Sequence, residues 1–335
     1  KEESANMLAQ HEVHLTPTLE KRVALDLDVS PFNNSNSKKE GVGRTYKGYD
    51  GYAPMLAYLG EEGYLVNVEL RPGKQHCQKE TPAFLQETIR LARLITDETL
   101  LVRMDSGNDA LENLSILESE ENIDYLIKRN LRREDPQKWW TLAQEEGVEQ
   151  KSRPGKTVYR GATTCQKTLT INGKQVTRSI RCIYQVTERT ITAKGQWLLL
   201  PEIEVETYWT SLRDEPDTII EQYHHHGTSE QYHSEIKTDM GLERFPSGKF
   251  ATNQLVLHCA NIAYNCLRLI GQTANRAPDL PLRKAAQRRR LKTVIQNLIY
   301  LASRLVRHAR QHKLSFAKWS PWFHSYAFVY RHLQC

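Results

Sequence analysis

The segment EQYHHHGTSEQYHSEIK, from Glu221 to Lys237, contains four histidines, three of them consecutive. A cluster of imidazoles suggests a metal site or acid–base catalysis as the first hypothesis. Successive residues of a helix advance by about 100°, so His224, His225 and His226 would point in three different directions and could not share one ion. Helical geometry therefore disfavours a histidine metal site in this segment.

A polar stripe along the same predicted helix carries a more specific set of functional groups. The stripe spans about 60° in helical projection and consists of Tyr223, His226, Glu230 and Lys237. A helix that packs on a sheet is expected to be apolar on its packed face. A solvated face is the simpler interpretation, but it does not explain why a hydroxyl, an imidazole and an ammonium group align with one carboxylate.

Two further acids occupy related positions in the predicted sheet. The alternating stretch VALDLDVS predicts a strand that carries Asp28, and the buried stretch LLVRMD predicts a strand that ends at Asp105. Hard cations such as Mg²⁺ take carboxylate oxygens as ligands, and two such ions can promote phosphoryl transfer. Asp28, Asp105 and Glu230 are therefore the candidate catalytic and metal-binding residues.

The elements that must position these acids follow an α/β order. From residue 23 the sequence predicts three strands, the second and third forming a hairpin, then a helix from Thr81 to about Leu94, a strand, a helix and a strand. A β-rich region follows from Trp139 to about Leu212, and Asn172-Gly173 within it predicts a second hairpin. Helices are then predicted over 218–240, 253–269 and 282–313.

The charge distribution points to a polyanionic partner. The 335 residues carry a net charge of +6, but residues 268–335 hold 14 Lys and Arg against the single acid Asp279. Residues 151–200 hold ten basic residues and only Glu188 as an acid. Two basic blocks around an acid-containing body favour nucleic-acid binding, with solvated helix faces as the alternative.

Other sequence features narrow the class of protein. The six cysteines show neither a C-x-x-C pair nor a zinc spacing, which indicates reduced thiols in a cytosolic protein. No apolar run approaches the roughly 20 residues of a membrane span, and the polar N-terminus does not resemble a signal peptide. We therefore expect no membrane partner.

Several blocks of the sequence resemble one family of enzymes. The spacing of Tyr223, His226, Glu230 and Lys237 resembles the Tyr-(2)-Arg-(3)-Glu-(6)-Lys signature of DDE transposases from bacterial insertion sequences. The blocks LDLDVSPFNNS, KKEGVGRTYKGYDGYAP, ELRPGKQHCQK, LLVRMDSGND and LERFPSGKFATN resemble the insertion-sequence-1380 group. The resemblance extends from about Leu25 to Phe323.

This resemblance implies a fold and a domain order. It implies an RNase H-like mixed sheet flanked by helices, interrupted by a β-rich insertion and followed by a helical C-terminal part. We expect an N-terminal stub (1–22), a first part of the catalytic core (23–138), the insertion (139–212), a second core part with the catalytic-Glu helix (213–275), and a basic helical C-terminal region (276–335).

The resemblance also implies a reaction and its partners. Asp28, Asp105 and Glu230 would hold two Mg²⁺ or Mn²⁺ ions, with Asp26 competing for the first position. The protein would cleave the DNA at transposon ends and join it to target DNA, as a homodimer in the DNA complex and in the bacterial cytoplasm at the nucleoid. The residues expected to contact double-stranded DNA are Tyr223, His226, Lys237, Arg283, Lys284, Arg288, Arg289, Arg290, Lys292, Lys167, Lys174, Arg178 and Arg181. Trp197 and Trp209 are candidates for stacking on a displaced base.

Two departures from the family pattern leave alternatives open. His226 stands where the signature has Arg, and a neutral imidazole offers one donor where a guanidinium offers a charged pair. Only about 22 residues precede the first predicted strand, so we expect that an N-terminal segment is missing. The alternatives are a decayed transposase that only binds DNA, and an RNase H-like nuclease without strand transfer.

Overall fold

The computed structural model of the chain describes residues 1–18, 21–192, 194–282 and 286–333. The strands are β1 Val23–Val29, β2 Phe32–Asn33, β3 Gly43–Arg44, β4 Asp50–Tyr52, β5 Met55–Leu59, β6 Tyr64–Glu69, β7 Leu100–Met104, β8 Ile123–Lys128, β9 Val148–Arg153, β10 Lys156–Ile171, β11 Lys174–Ile191, β12 Trp197–Thr210, β13 Ser303–His308 and β14 Gln311–Phe316. The α-helices are α1 Glu2–Gln10, α2 Thr81–Arg93, α3 Leu111–Ser119, α4 Pro136–Glu146, α5 Pro216–His224, α6 Ser229–Ser234, α7 Phe250–Asn275, α8 Leu291–Val294 and α9 Phe323–His332. Short 3₁₀ helices span Ser106–Asn108 and His225–Thr228, and π-helical turns span Glu235–Asp239 and Ile295–Ile299.

A mixed sheet forms the centre of the fold. Within the described residues nine strands join it, in the order β6-β5-β1-β7-β8-β12-β11-β10-β9. β1, β7 and β8 are parallel, while β5 runs antiparallel to β1 and forms a hairpin with β6. The predicted RNase H-like mixed sheet flanked by helices is confirmed. The parallel pairing matters for function because it brings the carboxyl ends of β1 and β7 to one edge.

Apolar packing covers both faces of this sheet. The helices α2 and α3 bury Phe84, Leu85 and Leu114 with the β1, β5 and β7 side chains on one face. The helix α7 buries Leu257 and Tyr264 on the other, against residues of β5 and β6. None of the helices in the described ranges has both the length and the apolar character needed to cross a bilayer.

The β-rich insertion continues the core sheet. Its last strand, β12, pairs with β8, and Thr210 lies opposite Leu126. The predicted hairpin is confirmed, since Asn172 and Gly173 both have positive φ angles, 50° and 74°, as a tight two-residue turn requires. Residues 136–146 form α4, so the strands of this region begin only at Val148, and the predicted bounds of the insertion stay a prediction. Asp135 caps α4 by accepting from the Gln137 backbone N–H.

The segment predicted as one helix over 218–240 is helical but changes pitch twice. A 3₁₀ turn at His225–Thr228 and a π turn at Glu235–Asp239 flank the short helix α6. A 3₁₀ turn has about three residues per turn, so a projection at 100° per residue does not hold across it. The polar stripe predicted from that projection is therefore split between a buried His226 and an exposed Glu230.

The predicted helix over 282–313 is largely wrong. Only residues 291–299 are helical within the described part of this segment, and Ser303–Phe316 forms the hairpin β13–β14. Most of the stability of a protein helix comes from an apolar face packed on the rest of the fold. The stretch after Tyr300 has no such packing surface, and a turn at Ala309 and Arg310, both with positive φ, reverses the chain instead.

Candidate functional site

Two predicted catalytic acids lie side by side at the carboxyl edge of the sheet. In the parallel β1–β7 pair, Leu27 lies opposite Met104, and the residues that follow these two are Asp28, still on β1, and Asp105, directly after β7. Burial, and next the charge of Asp28, raise the pKa of Asp105. Two neighbouring carboxylates with mutual repulsion form a site that a cation would stabilise.

A buried histidine orients the Asp28 carboxylate. His233 Nε2 lies 3.0 Å from Asp28 Oδ2, and His233 Nδ1 lies 3.0 Å from the hydroxyl of Tyr58. An ionised carboxylate only accepts, so Nε2 donates to Asp28, which leaves Nδ1 of a neutral ring to accept from Tyr58. The backbone N–H of Val29 donates to Oδ1 of the same carboxylate at 2.7 Å. Burial acts to raise the pKa of Asp28, but His233, the charge of His226 and the Val29 N–H together outweigh burial and lower it.

Asp26, the competing candidate for the first position, is engaged within the protein. Arg103 lies directly opposite on β7 and donates to both Asp26 oxygens at 2.7 Å. His226 Nδ1 contacts Asp26 Oδ1 at 2.8 Å. Burial acts to raise the pKa of Asp26, and these two partners outweigh it and lower that pKa. A bidentate ion pair with Arg103 leaves Asp28 as the better placed of the two acids.

His226, at the signature position of the missing arginine, is buried beneath the helix. It is 6% exposed, and its ring faces the Asp26 carboxylate. Burial alone would lower the pKa of His226, but the charge and hydrogen bond of Asp26, together with the charge of Asp28, outweigh burial and raise it. The ring is thus engaged in an internal ion pair, and a DNA contact through His226 remains a prediction.

The third acid, Glu230, opens onto a polar cleft shared with Asp28. The cleft encloses about 300 Å³, and Lys237 and Tyr46 also line it. Lys237 lies over the ring of Phe32, 5.4 Å from its centroid. Burial, and next the charge of Lys47, lower the pKa of Lys237. The structure therefore places an ammonium group beside two of the three predicted catalytic carboxylates.

The three predicted metal ligands do not converge on one point in this conformation. Across the described residues no three His, Cys, Asp or Glu side chains stand close enough together to hold an ion. Asp28 and Asp105 are adjacent, and Glu230 reaches the cleft from α6. The donor set is oxygen-rich, which suits Mg²⁺ or Mn²⁺. Metal binding by these three acids stays a prediction.

Tyr223, another signature residue, packs next to the buried pair. Its ring lies 4.8 Å from Tyr208 and 5.7 Å from His226, centroid to centroid. Burial, and next the charge of Asp105, raise its pKa far above the usual value, so the hydroxyl keeps its proton. Tyr223 can act as a hydrogen-bond donor at this edge of the sheet.

The arginines of the basic C-terminal region mostly have partners within the protein. Arg288 donates to Glu235, a buried acid in the π turn that follows α6, and to the Glu62 backbone carbonyl at 3.0 Å. Arg290 forms an ion pair with Asp239 at 2.9 Å. DNA contacts by Arg288, Arg290 and the exposed Lys292 remain predictions.

Arg289 packs inside the protein. It is 4% exposed and lies over the ring of Trp322, 4.6 Å from the centroid, and a phosphate contact by Arg289 remains a prediction. The predicted residues Arg283 and Lys284 lie outside the described residues.

Of the basic residues of the insertion, some are exposed and one is bonded within the protein. Lys174 and Arg178 are exposed on β11, and Lys167 lies opposite Arg178 on β10. Arg181 instead donates to the backbone carbonyls of Leu212 and Asp214 at 2.7 and 2.8 Å. This bonding gives Arg181 a structural role, and DNA contacts by all four residues remain predictions.

The two tryptophan candidates in the insertion differ in their exposure to solvent. Trp209 is 2% exposed and donates to Asp109 at 2.9 Å, so its predicted stacking on a displaced base is wrong. Trp197 is 79% exposed at the start of β12. Trp197 is therefore the candidate that a base could reach.

Three features of the site were not predicted from the sequence. His233 lies outside the predicted polar stripe, and Tyr58 and the Arg103–Asp26 pair lie in other segments. The period of two along β1 places Asp26 and Asp28 on one face, which was a usable signal for a shared network. The partners on β5 and β7 became evident only from the strand register.

Comparison with known families assigns the chain to a family. The chain belongs to the DDE transposases, since the family model described as "Transposase DDE domain group 1" matches residues 2–335. Among solved structures, the cryo-EM structure of the piggyBac transposase synaptic complex with hairpin DNA is similar, with a TM-score of 0.42 and 11% identity. The similarity covers 96% of this chain and 55% of that one, so this chain spans about half of its length. No curated protein matches the sequence.

Proposed function

We propose that this protein is a metal-dependent DNA-strand transferase that cleaves the ends of a mobile element and joins them to target DNA. The observation that carries the proposal is the adjacency of Asp28 and Asp105 at the carboxyl edge of β1 and β7. Membership of the DDE transposases supports it.

Three carboxylates would hold the cations. Asp28 and Asp105 supply oxygens from the sheet, and Glu230 supplies oxygens from α6 across the cleft. Two bound Mg²⁺ or Mn²⁺ ions would supply charge neutralisation at the scissile phosphate and activation of the attacking oxygen. Glu230 is exposed and lines the same cleft as Asp28, so metal binding would draw its carboxylate toward the other two acids.

The side chains around the cleft would position the DNA strand. Lys237 offers a cation beside Asp28 and Glu230, where it can hold a backbone phosphate of the substrate. Tyr46 borders the same cleft and donates to the Val29 carbonyl at 3.2 Å. His233 fixes the orientation of the Asp28 carboxylate. Preorganised charges of this kind contribute most of the catalysis in phosphoryl transfer.

We infer the partners from the family and from charge. The substrate would be double-stranded DNA, both the element's ends and the target, bound by a homodimer at the bacterial nucleoid in the cytoplasm. The sequence blocks that resemble the insertion-sequence-1380 group favour that branch.

A second candidate function is DNA binding without cleavage. The observation that favours it is His226, which stands at the arginine position of the signature and is bonded to Asp26. An imidazole buried in this way binds a phosphate less tightly than an exposed guanidinium does. Cleavage by wild type should then be slower than by His226→Arg; equal rates would remove this explanation.

A third candidate function is hydrolysis of DNA without joining. Analysis of the reaction products distinguishes it from strand transfer. Incubation of an end-containing duplex with target plasmid and Mg²⁺ should yield joined DNA if the protein is a strand transferase. Cut ends that never join would indicate a nuclease. Glu230→Gln serves as the inactive control, because the amide keeps the side chain's size and loses its charge.

A further inference from the structure

The C-terminal hairpin β13–β14 stands apart from the rest of the fold. Every residue from Ser303 to Ser315 is exposed. Its base is fixed by the hydrogen bond from the Ala317 backbone N–H to the Ala302 carbonyl, at 2.9 Å, and by the Phe316 ring against Tyr326, 4.5 Å between centroids. An exposed two-stranded ribbon buries little apolar surface of its own, which is typical of an element that binds a partner.

The ribbon carries a concentrated positive charge. It holds four residues that are charged at neutral pH, namely Arg304, Arg307, Arg310 and Lys313. No Asp or Glu follows Asp279 in the chain, so no acid within the ribbon or after it offsets this charge. A surface with this charge is complementary to a polyanion.

The strand register gives the two faces of the ribbon different chemistry. Arg304 and Lys313 share one face, since Arg304 lies opposite Ser315 and Lys313 opposite Val306. The other face carries Arg307 and the cross-strand pair Leu305–Leu314, in which the two leucines are 63% and 56% exposed. A monomer gains nothing by exposing an apolar pair between cations, but a partner with both phosphates and apolar edges would contact both faces.

We propose that β13–β14 inserts into the major groove of duplex DNA. This inference rests on the proposed function and deepens it by naming the element that holds the duplex. The major groove is about 12 Å wide and admits a two-stranded ribbon. Strands of six residues extend about 20 Å, which matches more than half of one helical turn of about 34 Å. The arginines and Lys313 contact the phosphates on the groove walls, and the leucine pair faces the methyl groups of thymine.

The test compares a ribbon variant with a matched variant that loses the same charge elsewhere. R304Q/R307Q/R310Q/K313Q removes the four ribbon charges, and K21Q/R90Q/R133Q/K138Q removes four exposed charges far along the chain. Fluorescence anisotropy with a 40-base-pair mixed-sequence duplex in EDTA measures binding without cleavage. Counterion release predicts that each lost phosphate contact lowers the salt slope of log K by about 0.9 and the affinity by about fivefold at 0.15 M salt.

A groove-filled probe separates insertion from simple attraction to phosphates. The same duplex is made with glucosylated 5-hydroxymethylcytosine, whose sugars project into the major groove while the backbone charge is unchanged. We expect wild type and the matched variant to bind this duplex at least tenfold more weakly than the unmodified one. The ribbon variant should bind both duplexes with the same, weakened affinity.

Several results would overturn the inference. One is equal binding of wild type to the two duplexes, and another is an equal loss in the two variants. A third is ribbon-dependent binding to double-stranded RNA as tight as to DNA, because the A-form major groove is too narrow for a ribbon. Since no divalent metal is present, a failure here leaves the proposed cleavage activity intact, and a failure of cleavage leaves this result intact.

Discussion

The hydrogen bond from His233 to Asp28 provides the sharpest prediction about the site. His233→Leu removes the ring nitrogen that donates to Asp28 Oδ2 and keeps a side chain of similar bulk in a buried position. Without that donor the carboxylate can rotate about its bond to the strand. The change should weaken metal binding at the carboxyl edge of the sheet.

The magnitude follows from the type of bond that is lost. A hydrogen bond to a charged group contributes about 1.5–3 kcal/mol. Residues that orient a ligand typically change metal affinity by about 10- to 100-fold when replaced. We expect Mn²⁺ to bind His233→Leu about 10- to 100-fold more weakly than wild type. Tyr58→Phe removes only the neutral bond to His233, at 3.0 Å, and should cost about 2- to 10-fold.

The assay measures free Mn²⁺ by electron paramagnetic resonance during titration of the protein. His233→Gln is the matched control, because its amide nitrogen can reach the position of Nε2 and restore the donor; its affinity should be close to wild type. Thermal unfolding of each variant checks that the fold is retained. Unchanged or tighter Mn²⁺ binding by a folded His233→Leu would refute the positioning role.

Two further predictions concern the internal ion pairs. Glu235→Ala leaves buried Arg268 without the carboxylate it contacts at 2.5 Å. The free energy of unfolding, measured in urea, should therefore fall by about 3–5 kcal/mol. Glu204→Ala, on an exposed pair with Arg189, should cost less than about 1 kcal/mol, and equal losses would contradict the difference in burial. The His226 pKa is raised in the folded protein, so its ion-pair stabilisation is complete below about 6.5 and is lost as the pH rises through the folded value. The difference in Tm between wild type and His226→Gln should therefore shrink above pH 6.5, and a difference that grows with pH would contradict this sign.

The core of the fold was predictable because its strands and helices have strong local patterns. The periodicity of apolar and polar residues predicts the strand β1, the hairpin of β5 and β6, and the helix α2 that begins at Thr81. The adjacency of Asp28 and Asp105 followed from the α/β order, since parallel strands bring their carboxyl ends together.

The remaining features depend on contacts between distant segments. The pairing of β12 with β8 makes the insertion part of the core sheet, and no local pattern encodes that partner. The 3₁₀ turn at His225–Thr228 rotates His226 toward Asp26, which a uniform helix could not show. The hairpin β13–β14 replaced a predicted helix because a basic amphipathic stretch has no fixed structure until a packing surface selects one.

The measurement that tests the central claim most directly is metal-dependent cleavage of a duplex that carries the element's own ends. Wild type should cut the end-containing strand with Mg²⁺ or Mn²⁺ and not in EDTA. Asp28→Asn, Asp105→Asn and Glu230→Gln should each abolish cutting while still binding the duplex. Asp26→Asn, which alters the neighbouring buried pair, should be destabilised and yet retain metal-dependent cutting. Cleavage that persists in any of the first three variants, or that proceeds equally in EDTA, would contradict the assignment of these carboxylates as the catalytic site.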